Sequence, residues 1–150
     1  MKCVVYISDK DIRHDIFKEY KIKESDIIKN EYGKPIINDS KINFNISHSE
    51  GIFLMALSSE MIGIDIEKVR DIDYIGISKR IFKEEIKSSE EFFKRWVKHE
   101  AKVKLLGESV FRNDDTLKDD NIKYTKIDII EGAYIYLASF KELEVEVRIC

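Results

Sequence analysis

Hydrophobic positions along the chain recur now at period two, now at helical spacing, and the switches mark out the elements. The β-rich run Val4-Val5-Tyr6-Ile7 predicts a short strand over 2–7. Ser8, with Asp11 three residues on, predicts a helix start, and Ile12, Ile16, Phe17 and Tyr20 then recur at helical spacing. Glu31-Tyr32-Gly33-Lys34-Pro35 breaks that pattern, the only Pro forcing an extended lead into Ile36-Ile37. From Lys41 three period-two runs follow, over 42–46, 52–57 and 61–67. Turn compositions at 47–51 and 58–60 separate them, so an antiparallel meander is expected.

After Asp71-Ile72-Asp73 the spacing is helical again, first over 74–86. A longer helix follows, opened by Ser88 and Glu91 as a capping box and closed by Gly107. Residues 108–121 are polar and Asp-rich. They lack the Gly and spaced ligands of a calcium loop, so a solvated connection is expected there. Strands over 123–130, 133–140 and 143–149, with turns at Glu131-Gly132 and Lys141-Glu142, complete the chain. The predicted class is α+β, an antiparallel sheet packed against helices, in one domain spanning 1–150.

Composition narrows the field. The 150 residues are 43% hydrophobic and 37% charged, with one Pro and two Cys, which excludes a disordered, collagen-like or disulfide-framework protein. A formal net charge of -3 gives no global field for nucleic acid, so any anion site must be local. No run approaches the ~20 apolar residues that span a bilayer, and the sequence from Met1 turns charged before a signal-peptide core forms. A cytoplasmic protein without membrane or nucleic-acid partners is the expectation. There Cys3 and Cys150 stay reduced, and the sequon at Asn45 is accidental.

Three stretches carry candidate chemistry. In Ile62-Gly63-Ile64-Asp65-Ile66-Glu67 a strand turns the isoleucines to one face and Gly63, Asp65 and Glu67 to the other. The two carboxylates either hold a hard cation such as magnesium, with Gly63 leaving room for a ligand, or line a wet strand edge. On a helix, Trp96, Glu100 and Lys104 climb one face at spacing four. Glu100 could reach the same metal and Lys104 a phosphate, or the two form an ordinary surface pair; Trp96, Phe92 and Phe93 read as core. Phe44-Asn45-Ile46-Ser47-His48-Ser49 is a polar cluster suited to phosphate or to turn chemistry, and neither serine sits in a nucleophile elbow.

Taken in order, Gly33-Lys34-Pro35, the Asn45-Ile46-Ser47-His48 stretch, Gly63-Ile64-Asp65-Ile66-Glu67, and Trp96 followed by Glu100-Ala101, Lys104 and Gly107 resemble the 4'-phosphopantetheinyl transferases. The resemblance is to the branch that activates peptide synthetases and similar carrier proteins. Ile77-Ser78-Lys79-Arg80-Ile81-Phe82 resembles that family's helix between the acidic strand and the Trp helix.

The resemblance implies transfer of the 4'-phosphopantetheine arm of coenzyme A to a serine of an apo acyl or peptidyl carrier protein, with Mg2+, releasing 3',5'-ADP. It implies that Asp65, Glu67 and Glu100 hold the metal. Glu100 is then also the candidate base, and Lys104 contacts the coenzyme A phosphate and assists the leaving group. Lys34, Ser47 and His48 match positions lining the nucleotide and phosphates, His48 with a catalytic role as well. Arg13 and Lys10 are candidates for the 3'-phosphate.

Two departures qualify this picture. His99 stands where the family usually has Lys. The branch normally has two similar halves, whereas here 1–40 reads as a reduced N-terminal half before a catalytic half at 41–150, which raises the possibility of a homo-oligomer. The alternative reading is a catalytically silent module of the same fold that binds coenzyme A or a carrier. Another metal-dependent nucleotide enzyme would explain the acids but not the other motifs. For an acidic carrier, Lys79, Arg80, Lys83 and Lys87, with apolar residues of 74–86, are the expected docking patch or else a solvated helix face.

Overall fold

The structure, a computed structural model, describes residues 1–38, 40–107 and 121–150. The expected solvated connection over 108–121 lies, apart from Asn121, outside the described residues.

The first strand, β1 (Lys2–Ser8), leads to the short helix α1 (Arg13–Glu19), a hairpin of β2 (Ile27–Lys29) and β3 (Pro35–Ile37), and then β4 (Asn43–Ser49), β5 (Ile52–Ser58) and β6 (Ile62–Lys68). Next come α2 (Ile75–Ile77), running into a π-helical turn at Ser78–Phe82, and the long α3 (Ser89–Leu106). After it lie β7 (Lys123–Lys126), β8 (Ala133–Ser139) and β9 (Glu144–Ile149). One sheet has the order β4-β5-β1-β9, another β6-β8-β7.

Alternation sets the layers. Cys3, Val5, Ile7, Leu54 and Ala56 of the first sheet meet Ile62, Ile64, Ile66, Ile135 and Leu137 of the second in one core. Ile12, Ile16 and Phe17 cover the first sheet's outer face over Phe44, Phe53 and Met55. Val97, Ala101 and Leu105 of α3 cover the second sheet over Tyr136 and Ala138. Among the described residues no helix is long and apolar enough to cross a membrane.

The α+β class holds, with several corrections. The expected meander stops after β4 and β5, because β6 leaves to pair with β8. β1 and β9 pair in parallel, a departure from an antiparallel sheet. The strand expected over 42–46 continues through Ser49, and the turn is Glu50-Gly51, both at positive φ. Ser8 does not cap α1; it ends β1, and its Oγ accepts from the Lys10 N–H instead. The helix expected over 74–86 stops at Lys83, whose left-handed φ of 55° ends it. β7 ends at Lys126, short of the expected 130. The Ser88 cap, accepting from Glu91 N at 3.1 Å, and the left-handed Gly107 fall where expected.

Gly63 makes room for α3 and not, as the sequence suggests, for a ligand. A Cβ there would lie 2.1 Å from the Ala101 carbonyl and 2.4 Å from Leu105 N, both backbone atoms. Gly63→Ala therefore forces α3 off β6. Denaturant unfolding should show a loss of about 1–3 kcal/mol, whereas Gly76→Ala, which meets nothing within 4 Å, should cost far less.

Candidate active site

β4 and β6 lie against each other, yet no backbone ladder joins them; side chains do the work. Asn45 Oδ1 accepts from Ile64 N at 2.8 Å and Ser47 Oγ from Ile66 N at 3.1 Å. From α3, Lys104 Nζ enters the seam and donates to the Ile46 and Ile64 carbonyls, each at 3.0 Å. Its third proton goes to Asp65 Oδ1 at 3.2 Å, and Ser47 Oγ donates to the same oxygen at 3.0 Å. All three donors of the ammonium are thus engaged.

Around this seam three carboxylates converge. Oxygens of Asp65, Glu67 and Glu100 lie within 4.8 Å of one another. Glu67 also accepts a 2.7 Å ion pair from Arg70. Asp65 is 2% exposed, and its Oδ2 is buried with no nitrogen or hydroxyl donor. The Glu100 carboxyl is pushed up to about 9, first by burial, then by the charge of Asp65 and a hydrogen bond to it; Lys104 opposes this and Glu67 adds to it. Lys104 pairs with Asp65 and Arg70 with Glu67, so the three carboxylates, when all are ionised, leave one negative charge to be met. A buried oxygen with no nitrogen or hydroxyl donor and an all-oxygen donor set fit a hard divalent cation such as Mg2+.

Beside the seam lies a cavity of about 260 Å3 lined by Arg13, Gly33, Lys34, Ile46, Lys104 and Gly107. Lys34 is pulled down to about 8 by burial and by Lys104. It is held in place by Asn30, whose Oδ1 accepts from Tyr32 N and Lys34 N at 2.9 Å each while its Nδ2 donates to the Gly107 carbonyl at 3.3 Å. Lys104 borders both the carboxylates and this cavity. The arrangement offers a dication and a polyanion adjacent places.

No protein-family profile matches the chain. The 4'-phosphopantetheinyl transferase Sfp of Bacillus subtilis (strain 168) is 34% identical over 117 residues, covering 69% of this chain and 52% of Sfp. The 4'-phosphopantetheinyl transferase gsp of Aneurinibacillus migulanus is 35% identical over 95 residues, 55% of this chain and 38% of gsp. The chain is a sequence relative of the 4'-phosphopantetheinyl transferases. It spans about half the length of the curated relatives it matches, or less.

Of the residues that the likeness to 4'-phosphopantetheinyl transferases nominated, the structure brings Asp65, Glu67, Glu100 and Lys104 together, with Arg13, Lys34 and Lys104 around the cavity. Others lie elsewhere. Ser47 faces inward and is buried, its hydroxyl bonded to Asp65 and Ile66 N, and it is not among the residues that line the cavity. His48 alternates with Ser47 along β4, is exposed, and acts electrostatically on Asp11; it neither joins the carboxylates nor lines the cavity. His99 is 1% exposed and sits between the Phe82 and Trp96 rings, at 5.8 and 5.7 Å, a packing position rather than the phosphate contact of a lysine. Trp96 stacks on Phe92 as expected of core.

Two residues escaped the sequence reading. Asn45 was legible only as part of a polar cluster. Asn30 could have been found as the Asn preceding a turn to Gly33, since such a side chain accepts from backbone N–H groups a few residues on.

Glu100 makes the metal-free chain pH-sensitive. The folded state holds a proton on it up to about 9, while an unfolded Glu releases its proton near 4.5, so in between the unfolded state binds fewer protons and stability falls as pH rises. Thermal melts should show Tm falling from about pH 4.5 to about pH 8, above which Lys34 titrates as well. Glu100→Gln should flatten that slope, and the Tm gain on adding Mg2+ should grow with pH.

Proposed function

We propose that this chain transfers the 4'-phosphopantetheine arm of coenzyme A to a serine of an apo acyl or peptidyl carrier protein, with Mg2+, releasing 3',5'-ADP. The observation that carries this reading is the three-carboxylate cluster sharing Lys104 with a cationic cavity. The names of the sequence relatives support it.

Asp65, Glu67 and Glu100 would hold the cation, which when bound neutralises pyrophosphate oxygens and polarises the attacked phosphorus. Arg13 and Lys34 bind and orient the coenzyme A phosphates from the cavity wall. In the transfer, the serine oxygen forms a bond to the phosphorus carrying the pantetheine arm. The bond from that phosphorus to the bridging oxygen breaks, and its electron pair leaves on 3',5'-ADP. Glu100, ionised in the loaded site, takes the serine proton at its carboxylate oxygen. Lys104 can meet the leaving oxygens by turning one N–H away from a seam carbonyl. Because all three of its protons already have acceptors, a silent module that binds coenzyme A or a carrier without turnover is the competing reading.

For the carrier, the side chains of Lys79, Arg80, Lys83 and Lys87 are exposed, as is Ile75, with Glu84 and Glu85 exposed among them, and the four cations are the docking surface in this reading. An acidic partner fits it.

Incubation with coenzyme A, Mg2+ and an apo carrier protein should add the mass of the phosphopantetheine arm to the carrier, read by intact-protein mass spectrometry. Glu100→Gln should slow this by about 10²–10⁴-fold, and Asp65→Asn should abolish it. Coenzyme A binding by calorimetry with no mass gain on any carrier would favour the silent module. In the active case, Lys83→Glu with Lys87→Glu should raise KM for the carrier several-fold and leave that for coenzyme A unchanged.

A further inference from the structure

Asp65 presents only one of its two oxygens, and the other is closed by the seam. Oδ1 accepts from Ser47 Oγ at 3.0 Å and from Lys104 Nζ at 3.2 Å, which occupies both of its lone-pair sites. Oδ2 is buried with no nitrogen or hydroxyl donor, and it belongs to the carboxylate that joins Glu67 and Glu100. The two donors to Oδ1 are themselves fixed. Ser47 Oγ accepts from Ile66 N at 3.1 Å, which orients its proton toward Asp65, and Lys104 is anchored on the Ile46 and Ile64 carbonyls.

We propose that Ser47 is a positioning residue which, with Lys104, locks Asp65 into one-oxygen ligation and so selects Mg2+ over Ca2+ at the three-carboxylate site. This rests on the metal site proposed above. Mg2+ demands a compact octahedral shell and takes carboxylates one oxygen at a time. Ca2+ is larger and favours bidentate carboxylates in a looser shell of six to eight oxygens. An Asp65 whose Oδ1 is already bonded cannot turn bidentate without breaking the contacts from Ser47 and Lys104. Outer-shell donors of this kind commonly tune metal affinity by about 10–100-fold.

Asn45 supplies the control. It stands two residues before Ser47 on β4 and mends the same seam, accepting from Ile64 N at 2.8 Å. Asn45→Ala and Ser47→Ala each orphan one β6 N–H, but only Ser47→Ala removes a donor from Asp65.

Calorimetric titration of the full chain with MgCl2 and, separately, CaCl2 reads the proposal directly, with thermal melts of the metal-free proteins alongside. Both variants should lower the metal-free Tm by similar amounts. Ser47→Ala should weaken Mg2+ binding about tenfold and narrow the Mg2+ to Ca2+ affinity ratio, whereas Asn45→Ala should keep wild-type values within about twofold. Ser47→Thr, which restores the hydroxyl, should recover both affinity and ratio, and it also serves if Ser47→Ala fails to fold. Equal losses in Ser47→Ala and Asn45→Ala, or a Ser47→Ala chain that binds and discriminates like wild type, overturn the positioning role alone. A wild-type chain that binds neither ion overturns the metal site and this proposal with it.

Discussion

The ammonium of Lys104 is the joint on which the site hangs. Two sheets meet at the edges of β4 and β6, where each strand has backbone groups that a ladder would normally satisfy, and an unpaired buried carbonyl or N–H is costly. Lys104 takes one carbonyl from each strand, and Asn45 and Ser47 take the facing N–H groups. Bridging by side chains thus takes the place of a ladder. Asp65 stands at this seam, and a buried carboxylate there is tolerable because the same ammonium and the Ser47 hydroxyl answer it.

Contact between α3 and β6 does the rest. Lys104 and Glu100 are one turn apart on the helix, and their reach to Asp65 is set by how closely the helix backbone approaches the strand. Gly63 permits an approach that no side chain would allow, with helix backbone where its Cβ would be. Asp65 is two residues along on the same face of β6 and inherits that proximity. Its short side chain therefore meets Glu100, and desolvation follows from the same closeness. The raised proton affinity of Glu100 is thus a consequence of a glycine two residues from its neighbour, carried through packing.

Much of this was legible because it is local. Period two across β6, spacing four across Trp96, Glu100 and Lys104, and the Ser88 and Gly107 caps are properties of single segments, and each fell where the pattern put it. What could not be read was the partnership between segments. Nothing in Ile62-Gly63-Ile64-Asp65 says that the strand pairs with β8, more than sixty residues on, in preference to its neighbour β5. The polar stretch Ser47-His48-Ser49 has a turn's composition, yet it pairs with β5 as strand, and Ser47 meets the demand for a side-chain acceptor at the seam. That demand also divides Ser47 from His48. Alternation sends one inward to Asp65 and the other outward toward Asp11, although adjacent residues in a motif suggest a shared role.

The two half-sites are also electrically linked. The carboxylates carry more negative charge than Lys104 and Arg70 offset, and burial together with that charge makes Glu100 retain a proton. Across the same lysine, burial and like charge leave Lys34 ready to give one up near 8. Each half is therefore short of the charge that its ligand would bring. A dication among the carboxylates would let Glu100 ionise and would weaken the hold of Asp65 on the ammonium. An anion beside Lys34 would raise that residue's hold on its proton and relieve its repulsion with Lys104. Both ligands would act on one ammonium, so occupation of either place would favour the other, and coupling of this kind is reciprocal. The side chain that keeps the sheets joined is by the same contacts the one through which such a cation and anion would sense each other.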